Sequence, residues 1–159
     1  MDELILLSTL SDYSIEFGIF TSEGLQTIDV DITGENSIET IKMKIADIMY
    51  FTEYGTLSLP GTFVLEKSLN YIDNTLDTEF SNLIEQILNG KIKSVLEIDN
   101  FFDRLCLKLE NMIQGFVKSM IENNNKLDNI LNVDNIKNKY IWDLNKLSTY
   151  IKCKYFKTN

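Results

Sequence analysis

From Tyr13 to Ile19, apolar side chains at Tyr13, Ile15, Phe17 and Ile19 alternate with Ser14, Glu16 and Gly18. That is the two-residue period of a strand with one buried face. The alternation returns at Ile28, Val30 and Ile32, with Thr27, Asp29 and Asp31 on the opposite face, and Thr21-Ser22-Glu23-Gly24 between the two runs reads as a turn. Together they predict a β-hairpin. Upstream, Leu4 to Leu10 fits either a third, more buried strand or a short helix.

After the hairpin the period lengthens. Asn36 followed three residues later by Glu39 has the form of an N-cap with an acidic third position, and Ile38, Ile41, Ile45, Ile48 and Met49 recur at helical spacing. A helix is predicted from about Ser37 to Phe51. Leu59-Pro60-Gly61-Thr62 then places Pro and Gly as a type II turn requires, so Thr56-Leu57-Ser58 and Phe63-Val64-Leu65 read as a second hairpin. Farther on, Asp77 or Thr78 would cap a helix carrying Phe80, Leu83, Ile84, Ile87 and Leu88, with Gly90 just past its end. Ile98, Phe102, Leu105, Leu109, Met112 and Phe116 keep a four-three spacing to about Ile121, and Asn123-Asn124-Asn125 closes that long helix. A last helix carries Ile136, Tyr140, Leu144, Leu147 and Ile151 on one stripe, and the two stripes are expected to pair as an antiparallel helical hairpin. The fold class is α+β: antiparallel hairpins with a helix over about 1–75, long amphipathic helices over about 76–159, in one domain of 159 residues.

Composition narrows the chemistry. Apolar residues at 44 % make a folded chain despite a net charge of −9. Leu4–Leu7 follows Asp2 and Glu3 rather than a basic segment, and no run approaches the roughly 20 apolar residues that span a bilayer, so a cytoplasmic protein is expected. High Ile, Asn and Lys with a single Pro suit an AT-rich bacterial, phage or plasmid gene. There is no histidine, which removes Ser-His-Asp and Cys-His nucleophile systems and histidine-ligated zinc. Seven glycines yield neither G-x-G-x-x-G nor a P-loop. Cys106 and Cys153 both fall in helical patterns and read as reduced core residues. No cofactor, metal or catalytic residue is expected, and an enzyme is not.

Charge supplies the remaining signal. Residues 1–79 hold fifteen acidic and three basic side chains, for −12, whereas residues 80–159 carry +3. If the first hairpin closes around Ser22-Glu23, Glu16 faces Asp29 and Ser14 faces Asp31, an opposition of like charges that costs stability. Glu16, Asp29 and Asp31, with Asp12 and Glu23 nearby, then form an acidic surface suited to a basic protein partner, such as a nucleic-acid-binding protein. The expected function is a non-catalytic acidic inhibitor of the immunity-protein, antitoxin or phage anti-defence (anti-CRISPR) kind. Two alternatives come from other classes: a metal-dependent hydrolase or nuclease using the same carboxylates, and a structural or regulatory homo-oligomer joined through the long helices. At the other end, Lys137, Lys139, Lys146, Lys152, Lys154 and Lys157 interleave with Tyr140, Trp142, Tyr150, Tyr155 and Phe156. Such a segment can touch nucleic acid or anionic lipid, although the negative field of the whole chain opposes that.

Overall fold

A computed structural model describes residues 2–34, 37–55, 61–131 and 144–158, with side chains except at 30–34, 37–41, 121–131 and 144–145. Its order is α1 (Glu3–Thr9), a 3-10 turn (Leu10–Asp12), β1 (Tyr13–Gly18), α2 (Thr21–Gly24), β2 (Thr27–Gly34), β3 (Ser37–Lys44), α3 (Ile45–Tyr54), α4 (Val64–Leu88), α5 (Val95–Leu131), α6 (Leu144–Ser148) and β4 (Lys152–Lys157). The α+β class holds, with an antiparallel hairpin and helix in the amino-terminal part and long helices after it. Of the two readings of Leu4–Leu10, the helix is the one adopted. Asp2 caps it by accepting from the Leu4 amide at 3.1 Å, and Leu6 turns inward.

The two alternating runs are strands, but they do not pair with each other. β1 pairs antiparallel with β4, setting Glu16 opposite Lys154 and Tyr13 opposite Lys157. β2 pairs with β3, setting Asp29 opposite Lys42 and Asp31 opposite Thr40. The predicted helix therefore begins late, because residues 37–44 are strand and helix starts only at Ile45, whose amide is held by the Gln26 carbonyl at 3.0 Å. Ile38, Thr40 and Ile41 are stiff at χ1, which favours a strand, and β2 lies close by in the chain to receive them. Asn36, the predicted cap, lies outside the described residues.

The second strand of the predicted Pro-Gly hairpin is not formed, because Val64 and Leu65 belong to a helix. Residues 56–60 lie outside the described set, while Phe63 adopts a left-handed conformation (φ 52°) and Val64 opens α4. Gly61 sits so close to the end of α3 that a Cβ would fall 2.4 Å from the Glu53 carbonyl oxygen. Thr62 and Phe63 donate their amides to the carbonyls of Thr52 and Glu53 at 2.9 and 3.0 Å. No side chain next to α4 caps it. Glu53 does so from α3, its carboxylate accepting from the Leu65 amide at 2.8 Å and the Glu66 amide at 3.1 Å. Glu53 is 5 % exposed, so the positive end of the helix dipole takes the place of a cation.

α4 is longer than the pattern from residue 77 implied and ends as expected at Gly90, which takes φ 74°. Ser94 and Glu97 then form a reciprocal cap for α5. Tyr71 stacks on Phe116 at 4.5 Å and Glu79 meets Lys108 at 2.6 Å, a register that runs α4 and α5 antiparallel. α5 thus packs against α4 on one side and, on the other, against β4 and the short helix α6 rather than a single long terminal helix. Ile136 and Tyr140 lie outside the described residues, and Lys152–Lys157 is strand. Consequently the buried stripe of α5 follows Ile98, Phe102, Leu105 and Leu109 and then swings to Ile113 and Val117, facing Leu147, Ile151 and Cys153, while Met112 and Phe116 are only half-buried. Gln114 fixes that side by donating to the Ile151 carbonyl at 2.8 Å.

Candidate functional site

The five predicted acidic residues are distributed over two sheets. Glu16, Asp12 and Glu23 lie around β1, whereas Asp29 and Asp31 belong to β2. The predicted opposition of Glu16 and Asp29 is replaced in both cases by an acid facing a lysine, so no carboxylate repulsion is stored there. Asp12 offers its backbone carbonyl to the Thr158 amide at 2.9 Å. The Ser22 hydroxyl donates to the Glu23 carboxylate at 2.5 Å and holds its pKa below the ordinary value, helped by the fields of Lys154 and Lys152.

β4 is therefore the counterpart of the acidic amino-terminal strand. Lys154 stands 4.5 Å over the Phe20 ring, and Lys157 meets the Asp99 carboxylate at 3.1 Å. Tyr13 donates its hydroxyl to the same carboxylate while its ring stacks on Phe102 at 4.3 Å. These bonds, Tyr13 first and Lys157 after it, hold Asp99 below its usual range; burial beside that carboxylate pushes the Tyr13 phenol up. Of the lysines from the basic-aromatic segment, Lys154 stands opposite Glu16 and Lys157 meets Asp99, while Lys152, opposite Gly18, adds to the field at Glu23. Lys137, Lys139, Tyr140 and Trp142 lie outside the described residues.

A different surface is left open. Between α3 and the start of α4 runs a groove of about 600 Å³, floored by Phe17, Ile19 and Met49 and rimmed by Tyr50, Tyr54, Phe63 and Leu69. The rim residues are 59, 62, 43 and 50 % exposed, although solvent exposure is costly for side chains this apolar. They support one another: Tyr50 and Tyr54 lie 5.0 Å apart, and Phe63 meets Tyr54 edge-on at 6.3 Å. The left-handed backbone at Phe63 aims that ring, and the Glu53 cap and close packing of Gly61 fix the backbone. Glu66 lines the groove, and Asp73 and Asp77 continue along the same exposed face of α4, seven and eleven residues on. Asp73 and Asp77 are one turn apart, a like-charge spacing that works against the helix.

Sequence reasoning missed this groove because its parts come from three elements. The available signal was Tyr50 and Tyr54, four apart on the side of α3 away from Ile45, Ile48 and Met49. Among the described residues no three acidic or cysteine side chains converge as a metal site, and no helix is long and apolar enough to cross a membrane. No protein-family model matches the chain, and no curated protein or solved structure matches it.

Proposed function

We propose that this chain is a non-catalytic acidic binding protein that masks a basic protein partner, as inhibitors of the immunity-protein or anti-defence kind do, and that it docks through the α3–α4 groove. The exposed Tyr50–Tyr54–Phe63 rim beside Glu66 is the observation that carries the reading. Rigid aromatics set in a preformed depression are what protein interfaces use as anchors. The acidic face of α4, with Asp29 and the other exposed carboxylates, attracts a cationic surface and orients it before contact. The fitting partner segment has an apolar side chain for the groove, flanked by Lys or Arg for Glu66, Asp73 and Asp77.

The test pairs two baits, wild type and Tyr54→Ser/Glu66→Lys, each checked for an unchanged circular dichroism spectrum. A basic protein retained by wild type is purified and titrated against both at low and high salt. The variant is expected to bind roughly tenfold or more weakly, as truncating an aromatic anchor does. Equal binding to both versions, or capture of no basic protein, would defeat the reading.

A further inference from the structure

Cys106 and Cys153 come from distant parts of the chain and from different kinds of element, yet their side chains meet. Cys106 lies on α5 and Cys153 on β4. One turn along α5, Glu110 accepts the Cys153 backbone amide at 3.0 Å, fixing the strand at this height on the helix. The two thiols line the same depression and lie close enough to act on each other's ionisation. Both are reduced and nearly buried, at 6 and 8 % exposure. They nevertheless open onto one surface cavity of about 370 Å³, whose wall also includes Asp103, Glu110, Lys154 and Tyr155. A pair that only filled core volume would need neither mutual contact nor an opening to solvent.

We propose that Cys106 and Cys153 form a reversible dithiol–disulfide site that reacts with low-molecular-weight disulfides of the glutathione type. The opening gives the sulfur–sulfur bond of such a molecule a path to the thiols while the rest of it stays in solvent. Cys106 acts first, because the adjoining Cys153 thiol favours its thiolate and lowers its pKa, while the proximity of Cys106 and burial push the Cys153 thiol up. Asp103 and Glu110 oppose thiolate formation at Cys106 but do not reverse it. The Cys106 thiolate attacks one sulfur of the small disulfide, that S–S bond breaks, and the departing thiolate takes a proton from water. Cys153 then loses its proton to solvent and attacks the Cys106 sulfur, expelling the second small thiolate, which is protonated in turn. Two protein thiols are oxidised to one disulfide and one small disulfide is reduced to two thiols. Oxidation ties β4 covalently to α5. The site is separate from the α3–α4 groove and does not depend on the function proposed for it.

Folded wild-type protein is incubated with excess glutathione disulfide and analysed by intact mass and non-reducing peptide mapping. The expected product is a monomer lighter by two hydrogens, with both thiols lost, one peptide joining Cys106 to Cys153, and full reversal by dithiothreitol. Cys153→Ser should retain glutathione on Cys106, and form that adduct faster than Cys106→Ser forms one on Cys153. The proposal is overturned if wild type accumulates a stable glutathione adduct or a disulfide-linked dimer. It is equally overturned if the folded protein stays reduced under conditions that consume the thiols of the urea-unfolded chain, or if the two variants react in the opposite order.

Discussion

Replacing Glu53 tests how the groove is built. Its carboxylate is 5 % exposed and is held by the Leu65 and Glu66 amides at 2.8 and 3.1 Å. Hydrogen bonds to a charged group contribute about 1.5–3 kcal/mol each. The groove beside them lets water reach the freed amides, so Glu53→Ala should cost about 2–4 kcal/mol in all, rather than the full sum. Glu53→Gln keeps one acceptor but turns an amide N–H toward a backbone N–H and removes the charge facing the helix dipole, and should cost about 1–2 kcal/mol. Urea unfolding followed by circular dichroism reads both. With a slope of about 2 kcal/mol per molar urea, the alanine midpoint should fall by roughly 1–2 M. The sign of the Gln result matters most. If the carboxylate were an uncompensated buried charge, neutralising it would stabilise the protein. A Gln variant more stable than wild type, or an Ala variant within about 0.5 kcal/mol of it, would refute the capping role.

Two further outcomes follow from the core and from the Tyr13–Asp99–Lys157 contact. Leu109→Ala, at a fully buried position of α5, should cost about 2–5 kcal/mol in urea unfolding, and Met112→Ala, only half-buried, clearly less; equal costs would contradict the inward swing of the stripe toward Val117. Asp99 is held below its ordinary value of 3.8, so its contribution is fully present above that value and is lost as pH falls through the lower folded one. Asp99→Asn should therefore be less stable than wild type at pH 7 and lose less of its urea midpoint between pH 7 and about pH 3. Parallel pH profiles would remove the carboxylate from the account.

What was legible in the sequence was local. The alternation in β1 and β2, the inward leucines of α5 and the glycine after α4 each state a backbone preference that needs no distant information. Pairing does need it. β1 can be recognised as a strand from Tyr13 to Gly18, but nothing within it says that its neighbour is Lys152–Lys157 rather than the next strand along. The same gap explains the charge. Acids near residue 16 and lysines near residue 154 look like two unbalanced segments until the strands are laid side by side, where each answers the other. Residues 37–44 read as helix because Ile38, Ile41 and Ile45 keep helical spacing, although Ile41, Met43 and Ile45 also alternate, and only the nearby β2 resolves the segment in favour of strand. The capping of α4 by a glutamate eleven residues before its first turn has no sequence signature at all.

The β1–β4 pairing also sets a schedule. During synthesis the Tyr13–Gly18 segment leaves the ribosome well over a hundred residues before Lys152–Lys157 exists. At about 5–20 residues per second, the first strand waits on the order of ten seconds with its hydrogen-bonding edge unsatisfied. A bare apolar edge invites pairing with other nascent chains, and a charge on the strand discourages it. Glu16 is therefore of use before its lysine arrives, as a guard on an edge that the ribosome has left open.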